Sequence, residues 1–314
     1  MTDEDTRAQT YRRRRLVALG ALVTVVVLVA GGLSALGGDG AAEGDGDGAE
    51  SSPPPQLPRG GRSIFPEFRV VAYYGAPQSE ELGALGIGSP ASAAHRLERQ
   101  AKPYAGDRRP VLPALELIAV IANADAGQDG QYRSRQSDAV IRRYLRAARA
   151  ARALLLLDIQ PGRSDFFTET TQLESWLREP DVGLALDPEW RVQAGEVPGQ
   201  VIGSVDSREV NATTAWLEQL AARHRLPEKL IVIHQFTDDM VDDTALEPRD
   251  NLQIVLNVDG FGGQAVKKAK YRAFTRRAPG FEPGFKLFYE EDLDLMTPRQ
   301  VLRLRPPPGF VVYE

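Results

Sequence analysis

Acidic side chains recur in this chain at one kind of place, the end of a short apolar run. The runs are VVAYYG, VLPALEL, LLLLDIQ, VGLALDPEW, LIVIHQF, IVLNVDGFG, FKLFYEED and FVVYE, and most of them stop at a carboxylate or an imidazole. The groups delivered in this way are Glu116, Asp158, Asp187, Glu189, His234, Asp259 and Glu290. Two carboxyl groups facing each other across a cleft about 5–9.5 Å wide are what hydrolysis of a glycosidic bond requires, one as acid and one as nucleophile or base. Glu116, Asp158, Asp187 and Glu189 are the candidates for that pair, with Asp187 and Glu189 first. Around them, Tyr74, Gln160, Trp190, His234, Gln235, Asp259, Tyr289 and Glu290 are the expected substrate contacts. An aspartate at a strand end also serves as a helix N-cap or loop acceptor, so it is the repetition at successive strands that points to a site.

Glu116 is the most telling of the acids, because PALEL sets a carboxylate between leucines in an otherwise apolar run. An unpaired ionised carboxylate buried there costs several kcal/mol, so Glu116 must be paired, protonated or facing a wet cavity. A protonated carboxylic acid suits proton donation, whereas an ion pair with Arg69 or Lys286 would make Glu116 structural. Side chains alternate along a strand, so Asp158 and Gln160 share one side. Asp187 and Glu189 do so if their strand continues through Pro188.

Continuous apolar runs suit strands buried on both faces, and their alternation with helical patterns gives βα units. Strands are expected near 69–75, 111–117, 153–160, 182–187, 230–236, 252–259, 285–290 and 310–313, with 201–205 as a rival eighth. Helices are expected at 89–104, from Ser137, from Ser164 (turning Phe167, Leu173, Trp176 and Leu177 to the sheet), from Asp206 or Ser207, at 263–276 and from Thr297. The fold class that follows is α/β, a (β/α)8 TIM-like barrel whose chemistry lies at the C-terminal ends of the strands. An open doubly wound sheet would show a glycine-rich phosphate loop after its first strand, and GALGIG at 83–88 stands too far along the chain to serve.

The barrel is expected to occupy residues 63–314. Residues 1–15 end in the basic cluster Arg12 to Arg15, and 16–38 contain no charge over 23 positions. A helix of that length, at about 1.5 Å per residue, spans a ~30 Å hydrocarbon core. The preceding charges place the N-terminus in the cytoplasm and the barrel outside, as a single-pass membrane protein, or secreted if this segment is cleaved as a signal peptide. Residues 39–62, rich in Gly, Asp and Pro, read as a flexible linker.

The chain contains no Cys and three His, which removes disulfides, thiolate metal sites and a cysteine nucleophile. A net charge of −5 and the lack of a basic patch with interleaved aromatics give no support to nucleic-acid binding. The segments VVAYYG, PALELIA, LLLLDIQPGRSDF, DVGLALDPEWRV, IGSVDS, IHQFT, VDGFG and FKLFYEED together resemble a family of exported actinobacterial TIM-barrel proteins of glycosidase-like type. That resemblance implies the barrel and an extracytoplasmic location and brings no catalytic residue with it. The expected function is therefore a glycoside hydrolase-like enzyme acting on an envelope carbohydrate or cell-wall polymer, with no cofactor and no metal ligand assigned. Two alternatives stand beside it. One is a metal-dependent hydrolase using Asp158, Asp187, Glu189, His234 and Asp259, and the other is a non-catalytic wall-binding protein.

Overall fold

A computed structural model describes residues 53–106, 109–278 and 280–314. Eight parallel strands close into a barrel in the order β1 (Arg69–Gly75), β2 (Val111–Ala122), β4 (Leu154–Ile159), β5 (Val182–Leu186), β6 (Lys229–Gln235), β7 (Leu252–Val258), β8 (Glu282–Leu287) and β9 (Phe310–Tyr313). Pairing of β9 with β1 shuts the ring, and the short β3 (Arg133–Arg135) folds back antiparallel on the end of β2. Phe310–Tyr313 is thus the eighth barrel strand, and 201–205 forms only an isolated bridge at Val201. β2 runs five residues beyond its expected end at Leu117 because β3 continues its pairing on one edge.

The helices between strands are α1 (Pro90–Ala101), α2 (Asp138–Ala150), α3 (Phe166–Gln172), α4 (Glu174–Leu177), α5 (Ser207–Arg223), α6 (Gln264–Arg277) and α7 (Pro298–Val301). Ser89 caps α1, accepting from the Ser92 N–H, with Pro90 in the first turn, as its sequence predicts. Asp165 rather than Ser164 caps α3, so the buried aromatic is Phe166, and Phe167 is turned outward. Between β6 and β7 the described chain holds a 3-10 turn, Asp243–Ala245, in place of an α-helix.

Strand alternation divides the interior into two cores. Val71, Tyr73, Leu115, Leu155, Ile231 and Tyr313 face the helices, whereas Val70, Ala72, Ala114, Leu156, Val232 and Val312 fill the barrel. Gly183 belongs to the inner set, and a Cβ there would come within 2.7 Å of the Leu156 side chain and 2.6 Å of the Leu230 carbonyl oxygen. Its hydrogen is what leaves room for Leu156 on the neighbouring strand.

The barrel base is closed by the segment that precedes β1. Leu57, Ile64 and Phe65 bury their side chains in the inner core. Arg59 donates to the Val111 and Arg152 carbonyls, and Arg62 donates to those of Pro55, Arg225 and Leu226. The folded domain therefore begins before residue 63, and the described end of the expected linker is a packed plug. Its proline-rich composition suggested solvation, but each carbonyl-seeking arginine and each apolar side chain finds a partner at the open barrel end. The expected membrane helix at 16–38 and the first part of the linker lie outside the described residues. Among the described residues no helix is long and apolar enough to cross a membrane.

Because Ile64 is fully buried in the inner core, Ile64→Ala should lower unfolding free energy by about 2–5 kcal/mol in urea titrations. A loss near zero would show that the plug contributes nothing to the barrel.

Candidate functional site: a ring of charge at the barrel mouth

Each barrel strand delivers a polar inward residue at or near its C-terminal end. They are Tyr74 (β1), Glu116 (β2), Asp158 (β4), Asp187 (after β5), His234 (β6), Asn257 (β7), Lys286 (β8) and Glu314 (after β9), with Asp259 and Gln160 immediately above. Register sets two of these side by side with a neighbour: Tyr74 pairs with Glu116 and His234 with Asn257. Gly284 beside Asn257 is part of the same fit, since a Cβ there would sit 2.7 Å from Asn257 Oδ1.

Alternating charges run through this ring. Lys286 Nζ lies 2.8 Å from Glu314 Oε2 and 3.3 Å from Asp259 Oδ2, and 3.9 Å from the centroid of the Tyr74 ring. Asp259 Oδ2 is 3.1 Å from His234 Nδ1, and His234 Nε2 is 2.9 Å from Glu116 Oε1. Asn257 donates to the other Asp259 oxygen at 2.5 Å. Glu116 is thus paired, as its burial demands, but with His234 rather than with Arg69 or Lys286. Arg69 is at the opposite end of the barrel, bound to the Tyr104 and Pro308 carbonyls.

Burial opposes charge on His234, but the Asp259 and Glu116 carboxylates at its two nitrogens prevail and hold its pKa well above the usual imidazole value. Lys286 follows the same logic, its burial outweighed by Asp259, Glu314 and Asp187. Asp259 also loses hydration, and Lys286 and His234 more than offset that and keep it below the ordinary carboxylate range.

The remaining acids behave in the opposite sense. Burial, then the charge of Asp187, drives Asp158 well above the normal aspartate value. Burial also raises Asp187, against the pull of His234 and Lys286. Loss of hydration and the charge of Asp259 push Glu189 up to about 8. Tyr74, kept neutral by burial and by Asp158, accepts from Gln160 Nε2 at 3.0 Å and donates to Asp158 Oδ2 at 3.1 Å. A proton on Asp158 therefore belongs on Oδ1, which has no hydrogen-bond partner and lies 3.9 Å from His234 Nε2. The site sets a carboxyl held below its ordinary range beside others raised above theirs, the condition for acid–base chemistry.

Glu189 reaches this electrostatic neighbourhood by a route other than strand alternation. β5 ends at Leu186, and Pro188–Trp190 is a 3-10 turn that carries Glu189, partly exposed, over the lip. Trp190 is on the same turn. Gln235 is buried on the opposite side of β6 from His234, with Nε2 unpartnered. Tyr289 is drawn to the outside of the barrel, stacked on Tyr313 and 3.2 Å from the Tyr73 hydroxyl, because β8 ends at Leu287 and the chain turns outward. Glu290 follows it into solvent. Neither joins the ring.

Asn257, Lys286 and Glu314 are ring members outside the candidate set. Each is a polar residue inside or ending an apolar run, the same signal that singles out Glu116. Glu116, Asp158 and His234 each offer one ligand atom within 4.8 Å of the others and are the described residues that could hold a cation. A metal there would take the place of the contact between His234 Nε2 and Glu116 Oε1.

Removing the buried cation by Lys286→Met strands Asp259 and Glu314 and should cost about 3–5 kcal/mol; a change below about 1 kcal/mol in chemical denaturation would contradict the pairing. Glu189, protonated more readily when folded, contributes stability that is complete below about pH 4.5 and is lost as pH rises through about 8. Glu189→Gln should therefore gain stability relative to the parent between pH 5 and pH 8, read from urea melts at both values.

No protein-family model matches the chain, and no curated protein is similar to it in sequence.

Proposed function

We propose that the protein is a glycoside hydrolase-like enzyme of the cell envelope, tethered by its N-terminal segment, with Glu189 as proton donor and Asp187 as its acidic partner. The observation that carries this reading is the contrast at the mouth. Asp187 and Glu189 stand two residues apart on one lip, both biased toward the protonated form, over a floor where Asp259 stays ionised between Lys286 and His234. A carboxyl that retains its proton near neutral pH can give it to the departing glycosidic oxygen, while Asp187, whose ionised form the charges of His234 and Lys286 favour, takes a proton from the water that bonds to the anomeric carbon as the bond to that oxygen breaks. His234, buried between two carboxylates, serves as a fixed cation that sets the state of the floor. It does not act as the base.

The convergence of Glu116, Asp158 and His234 favours a second reading, a metal-dependent hydrolase with a hard divalent cation on the floor. Metal content and melting temperature of the purified protein, with and without chelation, separate the two. A stoichiometric cation whose removal lowers the melting temperature selects the second.

The test of the first reading is release of reducing ends from a panel of envelope polysaccharides. Glu189→Gln and Asp187→Asn should each lower the rate about 10²–10⁴-fold without loss of the folded state by circular dichroism. The parent's activity should fall as pH rises through about 8, the value to which the Glu189 carboxyl is pushed. Unchanged rates in both variants would remove Asp187 and Glu189 from the chemistry.

A further inference from the structure

The two ends of the barrel carry opposite charge. Exposed acids crowd the loops that follow the strands, among them Glu80, Glu81, Asp125, Asp239 and Glu290. At the base, where the strands begin, the exposed residues include Lys102, Arg152, Arg223, Arg225, Arg303 and Arg305. The acids of the described base whose side chains reach solvent are fewer: Glu67, Glu98, Glu179, Glu247 and Asp250, of which Glu179 and Glu247 are already paired with Arg149 and Arg249, each at 2.6 Å.

These cations form one face. α7 packs against the 3-10 turn Lys102–Tyr104, which brings Arg303 and Arg305 to the side of Lys102. Arg152 donates to the Pro58 carbonyl and Arg62 to that of Arg225, so the plug runs between the remaining arginines. The first described residues lie on this same face, where the Pro55 carbonyl accepts from Arg62, and the sequence ahead of them contains the uncharged stretch 16–38.

We propose that the base of the barrel is a docking surface for anionic phospholipid headgroups, which holds the domain flat against a membrane with its acidic mouth pointing away. Two features select a lipid surface as the occupant. The cations are spread over the turns before β2, β4, β6 and β9, and the cavity beside Pro283 and Pro306 is lined mainly by apolar side chains, so it is the breadth of the charge that matches a plane. The stretch 16–38, if embedded, delivers this face to that plane within a tether of 14 residues, 39–52. An anionic bilayer attracts such a face within about a Debye length and repels the acidic mouth, so one orientation is favoured. This inference stands apart from the chemistry of the mouth and survives any outcome of the hydrolysis assay.

The absence of cysteine allows a direct test on the full chain. An environment-sensitive fluorophore is placed at the base by Lys102→Cys or at the mouth by Glu290→Cys, and the protein is mixed with or reconstituted into vesicles. The vesicles are phosphatidylcholine alone or phosphatidylcholine with about one third phosphatidylglycerol. The base label should report lipid contact, as quenching by headgroup-level spin labels, several-fold more with phosphatidylglycerol than without, and the difference should vanish at high salt. The mouth label should report none. Arg223→Glu combined with Arg303→Glu should abolish the difference while leaving the circular dichroism spectrum unchanged. Equal quenching of the base label in both vesicles, lipid contact by the mouth label, or displacement of the vesicles by a duplex oligonucleotide bound at the base would overturn the proposal.

Discussion

Everything in the upper half of the barrel depends on neutralising charge that has been taken out of water. Glu314, Lys286, Asp259, His234 and Glu116 alternate in sign along one connected path, with successive contacts of 2.8, 3.3, 3.1 and 2.9 Å. An isolated ion in such a place is prohibitively costly, and a chain of alternating ions spreads the compensation so that each member holds its neighbour charged. Asp158 and Asp187 have no equivalent cation of their own, and the structure answers by raising their affinity for protons. The proton inventory of the mouth is thus a consequence of having more acids than bases in a dry ring.

That ring in turn depends on apolar details below it. Strand register sets Tyr74 beside Glu116 and His234 beside Asn257, and glycines at 183 and 284 make space for Leu156 and Asn257. The plug at the base completes the inner core from below with Leu57, Ile64 and Phe65. A polar ring resting on a closed apolar fill is bounded above by the loops of the mouth, and it is there that the turn Pro188–Trp190 carries Glu189 and Trp190.

The opposition of acidic mouth and basic base follows from the architecture as well as from composition. Every helix returns from the mouth to the base, so helix N-termini gather at one end and C-termini at the other. Carboxylates complement the first and arginines the second. Asp165 and Asp206 at N-caps, and Arg149 and Arg223 in last turns, fit that rule. A mouth that gathers acids and a base that gathers cations are therefore compatible within one stable barrel, and the molecule acquires a direction.

The eight strands and most of the helices were legible in the chain because continuous apolar runs bounded by turn residues and 3.6-residue patterns are local signals, and the runs here are clean. Glu116 could be recognised as special for the same local reason, a charge among leucines. Its partner could not, since His234 is 118 positions away and is brought to it only when the sheet closes. Tyr289 and Glu290 follow an apolar run just as Asp259 does, yet β8 stops at Leu287 and sends them outward, a choice made by packing against Tyr73 and Tyr313. The plug has a linker's composition and becomes structure only because an open barrel end offers it carbonyls and apolar surface. By itself the sequence determined the class of fold, the end at which chemistry collects and the types of residue available there. Which acids are ionised, which are protonated and which leave the site was decided by tertiary structure, because proton affinity depends on burial and on charges a few ångströms away that are distant along the chain.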